Sequence, residues 1–139
     1  MKSGVFKHIE EILQDYPRLP AYIQERRQEL LNPYHAGHDE NVGGGKIQFK
    51  YDESTAYKAI DLMADREIKG LEKTQRAVAY CLDRTDAETM AIINELYFKA
   101  QPKPSLQAVS MRLNISRPVI GRKRQLFFEA IGKELGYLY

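Results

Sequence analysis

The chain has 139 residues, 43% apolar and 29% charged, with a formal net charge of +2, the composition of one ordinary globular domain or two very small ones. No apolar run approaches the ~20 residues needed to cross a bilayer, and the N-terminus turns acidic early rather than reading as a secretory signal. A lone Cys81 excludes an internal disulfide and fits a reducing cytoplasm. The net charge hides an asymmetry: residues 1–98 hold 13 Lys/Arg against 17 Asp/Glu, whereas residues 99–139 hold 8 against 2. A polyanion would meet the C-terminal part as a basic patch attached to an acidic body.

In chain order, Val5, Ile9, Ile12 and Leu13 recur at helical spacing and predict a helix over 5–14, ended by Tyr16-Pro17. Pro20 suits the first turn of a second helix over 21–31, with Ile23, Leu30 and Leu31 apolar, so the two read as a helical hairpin. From 33 to 53 periodicity fails around Gly43, Gly44 and Gly45, leaving a loop or linker with a short extended piece at 46–51. A long helix is predicted over 54–82, where Tyr57, Ile60, Ala64, Ile68, Leu71, Gln75, Val78 and Leu82 step by three or four. That stripe suits a seam with a second copy or another partner, with Gly70 a place for a bend.

Thr85-Asp86-Ala87-Glu88 has the form of a capping box, with Thr85 as cap, opening a helix to about Phe98 with Ile92, Ile93, Leu96 and Tyr97 inward. Ser105 caps the next helix, which buries Leu106, Val109 and Leu113; Asn114-Ile115-Ser116 is a turn; Ser116 caps a final helix to about Leu135 with Pro118 in its first turn. The expected architecture is all-α: a helical body over 1–84 and a helix-turn-helix module over 85–139.

On a wheel of about 100° per residue, Pro118, Gly121, Arg122 and Gln125 share one face, Arg117 and Arg124 flank it, and Ile120, Phe127 and Ile131 lie opposite. Arg is the commonest bidentate partner of guanine, and Gln pairs with adenine, so Arg117, Pro118, Gly121, Arg122 and Gln125 are expected at base edges. Lys103, Ser105, Gln107, Arg112, Ser116, Lys123 and Arg124 are expected at phosphates. The competing reading is a solvated basic helix in an ordinary bundle.

Other patterns carry less. His35, His38 and Asp39 are too few ligands for a closed metal site. Gly43-Gly44-Gly45-Lys46 lacks the spacing of a phosphate-binding loop. Glu10, Glu11, Glu25, Glu29, Asp61, Asp65 and Glu67 read as solvated helix faces, and the C-terminal Tyr137-Leu138-Tyr139 as a tail packed back on the bundle. No metal, cofactor or catalytic set is expected.

The segment SLQAVSMRLNISRPVIGRKRQ resembles region four of bacterial sigma factors. That resemblance implies base contacts at Arg117, Pro118, Val119, Gly121 and Arg122; Pro118, Val119 and Gly121 stand where sigma factors commonly carry polar side chains, and Lys123 where they are usually apolar, so that it is expected to snorkel. The whole chain is similar to the RinA/ArpU-type activators of phage and prophage late genes. The likeness is carried by Tyr16-Pro17, ERRQELLNPY, DENVGGG, the long helix, NELYF, the helix-turn-helix and KELG, in that order. It implies a cytoplasmic, sequence-specific transcriptional activator of packaging and structural genes that binds double-stranded DNA as a homo-oligomer or beside RNA polymerase. A sigma-like factor on core polymerase, and a phage adaptor or scaffold binding DNA without sequence preference, are the alternatives.

Overall fold

A computed structural model describes residues 1–31, 65–99 and 102–137, and every regular element among them is helical. The predicted loop at 33–53 with its histidines and glycines, the first part of the long helix with Tyr57, Ile60 and Ala64, and the last two residues lie outside the described residues.

Helix α1, Ser3–Asp15, turns Ile9, Ile12 and Leu13 inward. Pro17 does not stop the chain. It enters a single 3-10 turn, Tyr16–Arg18, at a position where its missing N–H leaves no bond unmade. That turn runs straight into α2, Leu19–Leu31, two residues earlier than expected.

Two compact units are present, Met1–Leu19 with Lys73–Tyr139, and Pro20–Glu72. This differs from a division at residue 84. The apolar face of α1 packs against the helices after Ala87, so the first helix belongs to the C-terminal unit. In the 20–72 unit, Ile23 and Ile68 are buried. Arg26 forks onto Asp65, with Nη2 to Oδ1 at 3.0 Å and Nε to Oδ2 at 3.2 Å, the planar pairing that suits a guanidinium. Asp65 also accepts from the backbone N–H of Ile68 at 2.9 Å, and so caps the following helix.

That helix, α3, spans Arg66–Asp83 and runs through Gly70 without interruption. Ile68 and Val78 are 3% and 0% exposed. The apolar stripe assigned to a second copy is therefore spent, at these two positions, inside the chain itself; Leu71 is half-buried.

Helix α4, Ala87–Ile93, is capped by Asp86, not Thr85: the Asp86 carboxylate accepts from the Thr89 N–H and hydroxyl. The cap lies one residue later than the capping-box spacing suggested, and Glu88 reaches forward to Lys123 rather than back. A π-helical turn, Asn94–Phe98, extends α4. Its wider winding lets three consecutive residues, Glu95, Leu96 and Tyr97, all be buried.

Helix α5, Leu106–Leu113, ends on Asn114 in the left-handed conformation, at φ 57°. Asn tolerates that region because its short amide can bond locally. The Ser110 hydroxyl donates to the Ile115 carbonyl at 2.6 Å and closes the turn. Helix α6, Arg117–Leu135, starts with Pro118 in its first turn and ends on Gly136 at φ 84°. The Tyr137 N–H reaches back to the Gly132 carbonyl at 2.8 Å, the bond of a Schellman end. Ser116 precedes α6, but its side chain makes no capping bond.

The core of this unit joins Ile9 and Leu13 of α1, Val78 of α3, Ile92, Ile93, Leu96 and Tyr97, Val109 of α5, and Ile120, Phe128 and Ile131 of α6. Phe128 stands between the rings of Phe6 and Tyr97, at 4.7 and 5.9 Å between centroids. This packing fixes the rotation of α6 about its axis, and with it the residues α6 turns outward.

Candidate nucleic-acid interface

With Ile120, Phe127, Phe128 and Ile131 in the core, the opposite side of α6 faces solvent. Pro118, Gly121, Arg122 and Gln125 meet there and, with Leu126, line one open concavity. Space above Gly121 is clear: a Cβ built there would meet no heavy atom within 4 Å. Arg122 is exposed, and no acid pairs with it among the described residues. Arg117 is exposed and donates to Gln107 Oε1 at 3.3 Å. Gln125 donates to Glu129 Oε2 at 3.2 Å. All five residues expected at base edges are thus on the outward side, although Gln125 is engaged by a carboxylate one turn on.

The residues expected at phosphates are divided. Arg124 turns inward. Its side chain is 16% exposed, with its guanidinium 4.9 Å from the Phe6 ring centroid and its Nη1 3.4 Å from Tyr97 Oη. It shares a wheel face with Phe127 and Phe128, and packing claims that face. Lys103 bonds Glu10 Oε2 at 2.9 Å. Lys123 does not snorkel into solvent but bridges Asp86 at 3.0 Å and Glu88 at 3.3 Å. Arg112 meets Glu95 Oε1 at 3.3 Å while remaining over half exposed. Ser105 is spent on its own helix, accepting from Ala108 N–H at 3.1 Å. Gln107 and Ser116 are exposed.

Folding therefore removes much of the charge asymmetry. Of the 8 cations in residues 99–139, Lys99, Lys103, Arg112, Lys123 and Arg124 face Glu95, Glu10, Asp86 or Glu88. All four acids come from the acidic part of the sequence, and Glu10 among them had read as solvated helix surface. Arg117, Arg122 and Lys133 have no acid partner among the described residues.

The pairings leave a clear electrostatic mark. Burial raises the Glu10 pKa, but hydrogen bonds from Lys103 and Tyr97 outweigh it, and the carboxyl lies below its usual range. The Lys99 hydrogen bond, aided by Arg112, holds buried Glu95 below that range too. The Thr89 hydroxyl and then Lys123 pull Asp86 far down. Burial, with Glu10 opposite, pushes the Tyr97 phenol well up.

Sequence reasoning missed Leu126, which is 66% exposed on the rim of the concavity. Its position four residues after Arg122 was the available signal. It also missed exposed Met111 on α5, at 74%.

A family model described as "Protein of unknown function (DUF722)" matches residues 5–133. The chain belongs to the DUF722 family. The match runs from the first turns of α1 to near the end of α6, so it takes in both compact units and the whole outward face of α6. No curated protein and no solved structure matches this DUF722 member.

Proposed function

We propose that this DUF722 chain is a sequence-specific DNA-binding protein that acts as a transcriptional activator. In this reading α5, the Asn114 turn and α6 form a helix-turn-helix, and α6 enters the major groove by its N-terminal half. The observation that carries it is the outward Pro118–Arg122–Gln125 face. Arg122 is exposed there and free of acids among the described residues, beside a glycine with no neighbour above it. A guanidinium so placed can make the bidentate bond to guanine, and Gly121 permits close approach to the base edges. Five other cations nearby are spent on internal acids, whereas this one is not. The assignment to phage late genes, and partnership with RNA polymerase, rest on the resemblance to RinA/ArpU-type activators alone.

The test is selection of bound fragments from genomic DNA by the full chain, followed by Arg122→Ala on the recovered site. The expected loss is about 1–3 kcal/mol of binding with relaxed discrimination at one base pair, and no change in melting because the side chain is exposed. Unaltered affinity and sequence preference would refute the groove assignment.

A further inference from the structure

A second set of cations lies outside the α6 face. On α3, Lys73, Arg76 and Tyr80 are exposed and recur at spacings of three and four, so they share one side of the helix, and Arg84 follows four residues on. Neither Lys73 nor Arg76 has an acid partner among the described residues. Arg84 stacks on the Tyr80 ring at 3.6 Å and bonds the Tyr80 carbonyl, which holds its guanidinium at the surface. Tyr80, Arg84, Lys133 and Leu126 line a second concavity between α3 and α6. Leu126 belongs to both concavities. The surface is therefore continuous from Arg122 across Leu126 to Arg84, with Arg76 and Lys73 further along the same side of α3.

We infer that Lys73, Arg76 and Arg84 of α3, with Lys133 of α6, form a phosphate-binding track that continues the DNA footprint of α6 onto the flanking duplex. The inference rests on the reading of α6 as a DNA-contacting helix. From Lys73 to Arg84 the track rises roughly 16 Å at 1.5 Å per residue. Measured along a duplex axis, that is the rise of about five phosphates of one strand, at about 3.4 Å of axis each. The acids on its borders are Asp83 on α3 and Glu134 on α6, both exposed. Asp86 and Glu88 in the same region are occupied by Lys123, and Glu129 by Gln125. Lys123 offsets one of the two charges of Asp86 and Glu88, and Glu129 keeps its charge beside the neutral Gln125 amide, so the α6 side of the region is near balance; the positive excess lies along α3, where Lys73, Arg76 and Arg84 stand against Asp83. Lys and Arg spaced along an exposed helix side, with Tyr80 between them, suit a uniform backbone rather than a particular sequence. A continuous polyanion also fits the continuity with the α6 face better than an isolated acidic peptide.

The experiment measures the salt dependence of binding by the full chain to two probes: its selected duplex and a random-sequence duplex of about 40 base pairs. Lys73→Gln/Arg76→Gln should weaken both probes alike and lower the salt slope by about 1.8, about 0.9 per lost phosphate contact, with the sequence preference and melting curve kept. Arg122→Ala should do the converse, losing preference and leaving the slope on random DNA. If the double variant keeps the wild-type affinity and slope on both probes while the wild type binds selectively, the track is refuted and the α6 reading survives. The track is equally refuted if the double variant loses only capture of RNA polymerase, since the strip then serves a protein. If the wild-type chain binds neither probe, the DNA reading fails, and this inference with it.

Discussion

Glu10 ties α1 to Tyr97 and Lys103 through its carboxylate, and replacing it by Gln tests the internal pairing described above. Its carboxylate accepts from Tyr97 Oη at 2.7 Å and from Lys103 Nζ at 2.9 Å, and Arg124 Nη1 lies 3.9 Å away. The side chain is only 18% exposed, and that of Arg124 16%. Glu10→Gln keeps the shape, removes the charge, and leaves Arg124 facing a neutral amide in a largely dry site. Hydrogen bonds to charged groups contribute about 1.5–3 kcal/mol, and breaking a fully buried pair costs about 3–5 kcal/mol. Lys103, 38% exposed, recovers part of its loss from water. The expected destabilisation is thus about 2–3 kcal/mol at neutral pH, read from urea denaturation of the full chain. The pH dependence gives an independent check. The folded Glu10 pKa is depressed below 4.5, so its stabilisation is fully present above the unfolded value and is lost as pH falls through the folded one. The gap between wild type and Glu10→Gln should therefore be constant from neutral pH to about pH 5.5 and close at more acid pH. A gap under about 0.5 kcal/mol at neutral pH, or one that widens on acidification, would refute the role given to this carboxylate.

Two further outcomes follow from the same geometry. Asp86→Ala should cost about 0.5–2 kcal/mol of unfolding free energy, the usual loss of an N-cap, whereas Thr85→Ala should change the denaturation midpoint little; the reverse order would restore Thr85 as the cap. Cys81 is 5% exposed and its thiol is pushed up to about 11 by burial, with Glu134 adding to the shift. It should resist iodoacetamide at pH 8 in the native chain and react once the chain is unfolded; rapid alkylation of folded protein would contradict its burial.

The positions of α4, α5 and α6 were legible because each signal for them is local. Ser105 three residues before Ala108, proline one residue into α6, and glycine just past its end act through backbone groups within a turn. The outward side of α6 was equally legible, since Ile120, Phe127 and Ile131 repeat at helical spacing and must all be buried together. The cap of α4 was misplaced by one residue because Thr85 and Asp86 are both competent acceptors, and only the path of the chain after α3 selects between them.

What sequence alone determined here is the helical content, the turns around Asn114, and which half of α6 meets solvent, because these follow from periodicity and nearest-neighbour chemistry. Only tertiary structure decided which cations remain available. Glu10 meets Lys103 and Arg124 across 93 and 114 residues of chain, and Lys123 finds Asp86 37 residues away. No local pattern encodes those distances. Tertiary packing also moved α1 into the C-terminal unit, since an apolar face specifies that it must be covered but not which helix will cover it.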